Sequence, residues 1–236
     1  MRVLVVTAVP AERDAVTRAF GHLPEIREVP GGLQVHRTGA FDVVAGGAGP
    51  AAAAAATAFA LAAAPSPRPY GLVVSAGIGG GFGPAPLGTL AVATAVVAAD
   101  LGAETPDGFV PVTGLGFGRD RFLPPAALVA EVAAATGAAA GEILTVSTVT
   151  GSSARTAALL AAHPGAVAEA MEGFGVAEAA ERLRLPVLEL RAVSNTVGPR
   201  DRAAWRIGDA LTALTEAFGK TAPVLEGWMH HDRNRD

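Results

Sequence analysis

Short apolar segments recur along this chain, and each is followed by a turn and then by a helical stretch. Residues 2–7 (RVLVVT) precede a turn at Pro10 and a helix to about Phe20, and residues 41–46 precede glycines and an alanine-rich run over 51–64. Residues 166–170 precede a helix over about 173–183. Strands that alternate with helices are typical of α/β domains with a mostly parallel sheet. We predict one such domain over residues 1–228 and a polar tail over 229–236.

The other segments are less regular. We predict a hairpin over 33–46, strands over 71–75, 89–99, 142–146 and 186–193, and helices over 124–137, from Ser152 or Ser153, and over about 201–219. The glycines of 77–81 are predicted to form a loop, either one in which backbone amides face a ligand or a sharp connection between strands. Residues 103–119 lose periodicity, and so long a loop in a compact domain is a candidate lid or specificity loop.

Charge and cysteine content exclude several functions. The net charge is -4 and there is no long basic run, so nucleic acid and an anionic membrane surface are poor partners. The sequence has no cysteine, which excludes disulfides, a cysteine nucleophile and a thiolate metal site. The apolar runs are too short for a membrane span. We therefore expect a cytoplasmic protein with a small-molecule ligand, and no metal at His230 or His231.

One motif suggests a nucleotide cofactor but lacks a necessary partner. Gly47, Gly49 and Ala52 form GxGxxA between a strand and a helix, as in dinucleotide-binding turns. Such turns need an acid about twenty residues further on, yet no Asp or Glu occurs between Asp42 and Asp100. We interpret residues 46–49 instead as a loop whose backbone lies close to a ligand or to a helix.

Chemically distinctive residues follow six different predicted strands. Because the carboxyl ends of parallel strands meet at one edge of a sheet, these positions are expected to converge on one ligand site. No GxSxG or Walker motif occurs, so acyl transfer and ATP hydrolysis lack support. The six positions are Glu12, residues 46–49, residues 77–81, Val149–Thr150, Met171–Glu172 and Ser194–Asn195.

The motifs TAVPAERDAV, SAGIGGGF, AMEGFG and RAVSN, in this order, resemble the nucleoside phosphorylase and nucleosidase superfamily from Arg2 to about Leu225. The resemblance implies a three-layer α/β/α domain with a mixed, mostly parallel central sheet, no metal and no organic cofactor. It also implies a homo-oligomer, a dimer or larger. The segments AADLGAETPDGF, LGFG and RAVSNTVGPRDRAAWRIGDAL are similar to the futalosine hydrolases, which release hypoxanthine from futalosine in menaquinone biosynthesis.

This resemblance implies a role for each site residue. Glu12 would be the general base that activates water, and Asn195 would bind N7 and O6 of the leaving base. Glu172 would accept hydrogen bonds from the ribose hydroxyls and stabilise the positive charge that develops on the sugar. The substrate-binding residues would be Ile78, Gly79, Val149, Thr150, Met171, Glu172 and Ser194.

Two departures from related enzymes leave alternatives open. Methylthioadenosine nucleosidases have Asp where this chain has Asn195, and an acid where it has Ala170. An Asn favours a 6-oxopurine, so a 6-oxopurine nucleoside phosphorylase and a methylthioadenosine-type nucleosidase are the alternatives, as is a non-catalytic nucleoside-binding protein. Glu12 would repel a phosphate nucleophile. For the benzoate tail of futalosine, the candidate cations are Arg119, Arg121 and Arg202, each of which is otherwise a surface charge.

Overall fold

A computed structural model describes residues 1–64 and 69–232. The strands are β1 (Arg2–Thr7), β2 (Glu25–Val29), β3 (Leu33–Thr38), β4 (Phe41–Ala45), β5 (Tyr70–Gly81), β6 (Leu90–Ala98), β7 (Gly102–Thr105), β8 (Gly108–Pro111), β9 (Arg121–Phe122), β10 (Ala139–Thr145), β11 (Ala166–Ala170) and β12 (Val187–Thr196). The helices are α1 (Pro10–Arg18), α2 (Pro50–Ala62), α3 (Ala126–Thr136), α4 (Ser153–Ala162), α5 (Gly173–Glu181) and α6 (Ile207–Asp232), with a short 3-10 helix at Arg202–Ala204.

The central sheet is mixed, with both parallel and antiparallel pairs. Its order is β11-β10-β6-β12-β5-β1-β4-β3-β2. The pairs β4–β1, β1–β5, β5–β12, β6–β10 and β10–β11 are parallel, whereas β6–β12 and the β2–β3–β4 edge are antiparallel. Because β11 also pairs with β5, the strands β5, β12, β6, β10 and β11 close into a ring. The predicted α/β fold with a mixed sheet is confirmed.

Helices cover both faces of the sheet, as the alternation of side chains along a strand requires. Val3 and Val5 of β1 pack with Leu214 and Phe218 of α6, in a core that also includes residues of α1 and α3. Leu4 and Val6 point the other way, toward α2 and α5. The β1 strand is therefore buried on both faces, which explains its uninterrupted apolar sequence.

The predicted glycine loop over 77–81 is wrong, because β5 continues through it. These residues remain extended because β12 pairs with β5 as far as Gly81 and β11 pairs with Gly80 and Gly81. The neighbouring atoms leave little room for side chains. A Cβ on Gly79 would lie 2.9 Å from the carbonyl oxygen of Glu169, and one on Gly81 would lie 2.0 Å from that of Ala85. The glycines thus permit close packing within the closed sheet.

Residues 103–119 are not structureless either, since most of the antiparallel hairpin that β7 and β8 form over 102–111 falls in this range. The predicted final helix over 201–219 is displaced, because the chain first forms the 3-10 helix and α6 begins at Ile207. Helix α6 continues to Asp232, so the first part of the expected tail is helical. The rest of that tail lies outside the described residues. Ser152 caps α4 as predicted, its Oγ accepting a hydrogen bond from the Arg155 N–H at 3.2 Å.

Candidate active site

A cavity of about 230 Å³ lies where β1, β5, β10, β11 and β12 end. The strand order places these ends side by side, although they are far apart in the sequence. The structure brings all nine predicted site residues to the wall of this cavity. They are Glu12, Ile78, Gly79, Val149, Thr150, Met171, Glu172, Ser194 and Asn195.

Glu12 is held at the cavity wall by three backbone donors. Pro10 begins α1 directly after β1, which places Glu12 in the first turn with its carboxylate facing back toward the strand end. Its Oε2 accepts hydrogen bonds from the N–H groups of Ala8 (2.9 Å) and Val9 (3.1 Å), and its Oε1 accepts one from Ile78 (2.9 Å). Burial raises the pKa of Glu12, and the Ile78 N–H and the nearby Arg191 oppose that shift only in part.

Glu172 lies between the end of β11 and the start of α5, where it is contacted by the loop before α2 and by the backbone of its own neighbour. Its Oε1 accepts a hydrogen bond from the Gly49 N–H at 3.2 Å, and its Oε2 accepts one from the Met171 N–H at 3.3 Å. Gly49 has a φ of 92°, which a residue with a Cβ rarely adopts. The loop over 46–49, predicted to approach a ligand or a helix, therefore approaches the beginning of α5.

Ser194 and Asn195 occupy the end of β12, where its register with β5 shifts between Val193 and Asn195. Ser194 Oγ lies 3.0 Å from Asn195 Oδ1 and 3.2 Å from the carbonyl oxygen of Gly79. Asn195 Nδ2 donates to the carbonyl oxygen of Thr196 at 3.2 Å. These contacts orient the amide and leave the second N–H of Nδ2 available to a ligand.

Glu169, which was not among the predicted site residues, lies in the cavity wall beside Val149 and Thr150. Glu169 of β11 accepts a hydrogen bond from the Thr150 N–H at 2.8 Å and a second from the Thr150 hydroxyl. Both residues are buried and both line the cavity. Glu169 thus fixes the loop that follows β10, the strand that pairs with β11.

A buried charge cluster lies under the two carboxylates, and the sequence reasoning missed it. Arg191 of β12 is fully buried and its Nε donates to Glu189 Oε1 at 2.9 Å, while its Nη2 donates to Ser75 Oγ at 2.9 Å. Its Nη1 lies 3.1 Å from Glu172 Oε2, an ion pair without hydrogen-bond geometry. The signal was visible as two charged residues, two positions apart, in the otherwise apolar segment VLELRAV.

The pKa values of Glu189 and Arg191 reflect one cation among three acids. Burial raises the pKa of Glu189 to about 7, and Arg191 only partly opposes this. Burial alone would lower the pKa of Arg191, but Glu189, Glu172 and Glu12 outweigh it, so the pKa of Arg191 is raised. Arg191 therefore stays charged, whereas the surrounding carboxyl groups compete for that charge.

The cavity mouth carries a different arginine from those predicted for the substrate tail. Arg200 and Trp205 line it, with the Arg200 guanidinium carbon 5.3 Å from the centre of the indole ring. Arg119 pairs instead with Glu181, and Arg121 pairs with Glu142. Arg202 contacts Trp205 at 5.8 Å but does not line the cavity. None of the three predicted arginines is therefore a wall residue.

Over residues 1–64 and 69–232, no group of three or more His, Asp or Glu side chains is arranged to hold a metal ion. Within the same ranges, no helix combines the length and apolar character that crossing a bilayer requires.

A family model described as the phosphorylase superfamily matches residues 2–226, and the chain belongs to that superfamily. The futalosine hydrolase of Streptomyces coelicolor is 64% identical over 236 residues, which cover 99% of this chain and 100% of that one. The futalosine hydrolase of Acidothermus cellulolyticus is 47% identical over 221 residues, covering 91% and 88% of the two chains. Within the superfamily, the chain belongs to the futalosine hydrolase family.

A solved structure with low sequence identity to this chain has the same fold. The native structure of futalosine hydrolase from Helicobacter pylori superposes with a TM-score of 0.78, at 17% identity, and covers 94% of this chain and 97% of that one. At this identity the likeness concerns the fold alone.

Proposed function

We propose that this protein hydrolyses the N-glycosidic bond of futalosine, releasing hypoxanthine and dehypoxanthinyl futalosine, in menaquinone biosynthesis. The observation that carries the proposal is the placement of Glu12, Glu172 and Asn195 on one cavity wall. Glu12 supplies a base, Glu172 supplies a carboxylate for the sugar, and Asn195 supplies an amide for the purine. The 64% identity to a futalosine hydrolase over the whole chain supports the choice of substrate.

Glu12 activates the attacking water in this proposal. A buried carboxylate with a raised pKa accepts a proton more readily than a solvated one, and its three backbone donors keep it in one position. As the water oxygen forms its bond to C1′, the bond from C1′ to the purine breaks and the purine takes the electron pair. Glu12 accepts the proton that the water loses.

Glu172 stabilises the sugar as positive charge develops on it. The carboxylate is fixed by the Gly49 and Met171 N–H groups and by Arg191, so it need not reorganise during the reaction. It accepts hydrogen bonds from the ribose hydroxyls, and Met171 packs against the sugar. Ile78 and Gly79 line the wall near the water.

Asn195 selects the purine. Its free N–H on Nδ2 suits an acceptor such as N7 or O6 of hypoxanthine, and the hydroxyl of Ser194 helps to hold the amide in place. An amide cannot transfer a proton to the base, so the departing hypoxanthine anion is stabilised by hydrogen bonding and is protonated from solvent. Val149 and Thr150 complete the base pocket, with Thr150 fixed by Glu169.

Arg200 is the proposed counterion for the benzoate tail. It lies at the mouth of the cavity, it rests on Trp205, and no carboxylate pairs with it within the described residues. Replacing Arg200 with Ala should raise the KM for futalosine and leave that for inosine, which lacks the tail, unchanged. The same substitution at Arg202 is the matched control, because Arg202 also contacts Trp205 but is not a wall residue.

The test of the proposed function compares futalosine, inosine and methylthioadenosine as substrates, with and without phosphate. We expect futalosine to be cleaved fastest and its rate to be independent of phosphate. If cleavage required phosphate, the protein would be a 6-oxopurine nucleoside phosphorylase, and fastest cleavage of methylthioadenosine would contradict the role of Asn195. Binding of futalosine without cleavage would indicate a nucleoside-binding protein.

Assembly and location are also proposals. We propose a homo-oligomer of two or more subunits in the cytoplasm that needs neither a metal nor an organic cofactor. The cysteine-free sequence is compatible with a reducing compartment. Sedimentation at low protein concentration that gave only a monomer would contradict the oligomer, and loss of activity after chelation would contradict metal independence.

A further inference from the structure

Glu189 is a buried acid outside the cavity wall, and the catalytic steps above do not use it. It is fully buried in β12, two residues before Arg191, so that both side chains lie on the same face of the strand. Burying an ionisable group costs free energy unless it has partners, so an acid at this position requires an explanation. Its only hydrogen-bond partner within the described residues is the Nε of Arg191, at 2.9 Å.

The second oxygen of Glu189 lies against the start of α5. Its Oε2 has no hydrogen-bond partner in the part of the chain that the structure describes. A Cβ built on Gly173 would lie 2.1 Å from this oxygen, so only glycine leaves room for it. Gly173 directly follows Glu172, and Glu189 therefore contacts both Arg191 and the backbone beside the ribose-binding carboxylate.

Arg191 has three separate contacts that fix the orientation of its guanidinium group. Nε contacts Glu189, Nη2 contacts Ser75 of the neighbouring strand, and Nη1 lies beside Glu172. Nη1 also lies near Glu12, because both Nη1 and the Glu12 Oε1 would be within 3 Å of a Cβ on Gly77. Without Glu189, the Nε side of the planar group would have no hydrogen-bond partner to hold it.

We propose that Glu189 is a positioning residue that fixes the Arg191 guanidinium between Glu172 and Glu12 and so sets the geometry and charge of these two carboxylates. The inference rests on the proposed function, because it takes the roles of Glu12 and Glu172 from it. Glu189 does not touch the substrate. It acts through Arg191, and its effect appears mainly in turnover.

The ionisation of Glu189 gives this role a dependence on pH. The charged groups that face it are Arg191 on its own strand and Glu172 at the start of α5, and Glu12 of α1 lies beyond Arg191. With its pKa at about 7, Glu189 gains its charge as the pH rises through neutrality. An ionised acceptor binds the guanidinium more strongly than a neutral one, so Arg191 is held more firmly above pH 7 than below it.

The test uses Glu189→Gln and Glu189→Leu in the full chain, with kcat and KM for futalosine measured across pH. We expect the kcat of the wild-type protein to rise near pH 7 as Glu189 ionises, and the Gln variant, which keeps an oxygen for Nε but cannot ionise, should lack this rise. The Leu variant removes the acceptor, and we expect kcat to fall by roughly 10- to 100-fold with a change in KM of less than about 3-fold, as for a small misplacement of catalytic groups.

Asp42→Asn is the matched control. Asp42 is also a fully buried acid in the central sheet, and it pairs with Arg2 and Arg37 at the opposite end of β4 from the cavity. This variant should lose thermal stability and keep the wild-type kcat and pH profile. If the Leu variant does not fold, the Gln variant alone decides the test through its pH profile.

The outcomes separate this inference from the proposed function. Wild-type protein that cleaves no futalosine would overturn both. Wild-type protein that cleaves futalosine, with folded Glu189 variants that keep its kcat and its pH profile, would overturn the positioning role alone. A loss of stability equal to that of Asp42→Asn, without any change in turnover, would show that Glu189 is only structural and would likewise overturn it.

Discussion

Replacing Glu12 with Gln should affect stability and turnover, and the structure allows each effect to be estimated. The carboxylate accepts three backbone N–H groups, two on Oε2 and one on Oε1. Gln has one carbonyl oxygen, so its best arrangement keeps Ala8 and Val9 on that oxygen and turns the NH2 group toward the Ile78 N–H. A buried donor left without an acceptor costs about 1–3 kcal/mol.

Burial raises the pKa of Glu12, so removing its charge recovers part of the burial cost, and we expect the lower end of that range. In a domain of this size, each kcal/mol lowers Tm by about 2–4 °C. Loss of a general base lowers kcat by roughly 100- to 10,000-fold.

The assay measures hypoxanthine release from futalosine and thermal unfolding of the same samples. Asp14→Asn is the control, because Asp14 is an acid on the same helix whose side chain is 45% exposed and does not line the cavity. It should change neither quantity appreciably. A Glu12→Gln variant with wild-type kcat would refute the base role, and an unchanged Tm would refute the importance of the three N–H contacts.

Three other predictions concern the same cavity. Because burial raises the pKa of Glu12 above its ordinary 4.5, the base form is lost at a higher pH than it is for a solvated Glu. On acidification, kcat/KM should therefore fall at a pH above 4.5. A pH profile of kcat/KM whose acidic limb has its midpoint at or below 4.5 would contradict this. Gly173→Ala should cost about 1–3 kcal/mol, as overpacking does, and should also lower kcat because the new Cβ displaces Glu189; thermal unfolding and hypoxanthine release measure the two effects, and wild-type values for both would exclude that displacement. Asn195→Asp replaces the N–H donor of Nδ2 with a carboxylate oxygen, which suits the 6-amino donor of adenine better than the O6 acceptor of hypoxanthine, so we expect its ratio of futalosine to methylthioadenosine cleavage to fall at least about 10-fold; an unchanged ratio would mean that Asn195 does not select the purine.

The strands and helices with strong local patterns were predictable from the sequence. The runs at 2–7 and 166–170 coincide with β1 and β11, because each is short, apolar and ended by a turn. The prediction of a loop over 77–81 was wrong because a run of glycines has two explanations in a sequence. Glycine is common in loops for its backbone freedom, and it also occurs in tightly packed strands for its small size. Only the pairing of β5 with β11 and β12 distinguishes the two.

The cavity wall was more predictable than the layer beneath it. Glu12 and Glu172 follow apolar strands and Asn195 lies at the carboxyl end of one, so the carboxyl-end rule placed them together. Glu189 and Arg191 lie inside a strand, where no such rule applies, and their partners Ser75 and Gly173 are distant in sequence. Their contacts depend on the three-dimensional register of β12 with β5, which no single segment encodes.

The most direct measurement of the proposed chemistry is the cleavage of futalosine in water enriched in oxygen-18, without phosphate. Attack by a water that Glu12 activates predicts that each molecule of released sugar carries one labelled oxygen at C1′, when it is trapped before exchange, and that Glu12→Gln slows its formation by roughly 100- to 10,000-fold. Label-free sugar, or product that appears only when phosphate is added, would contradict hydrolysis at this site.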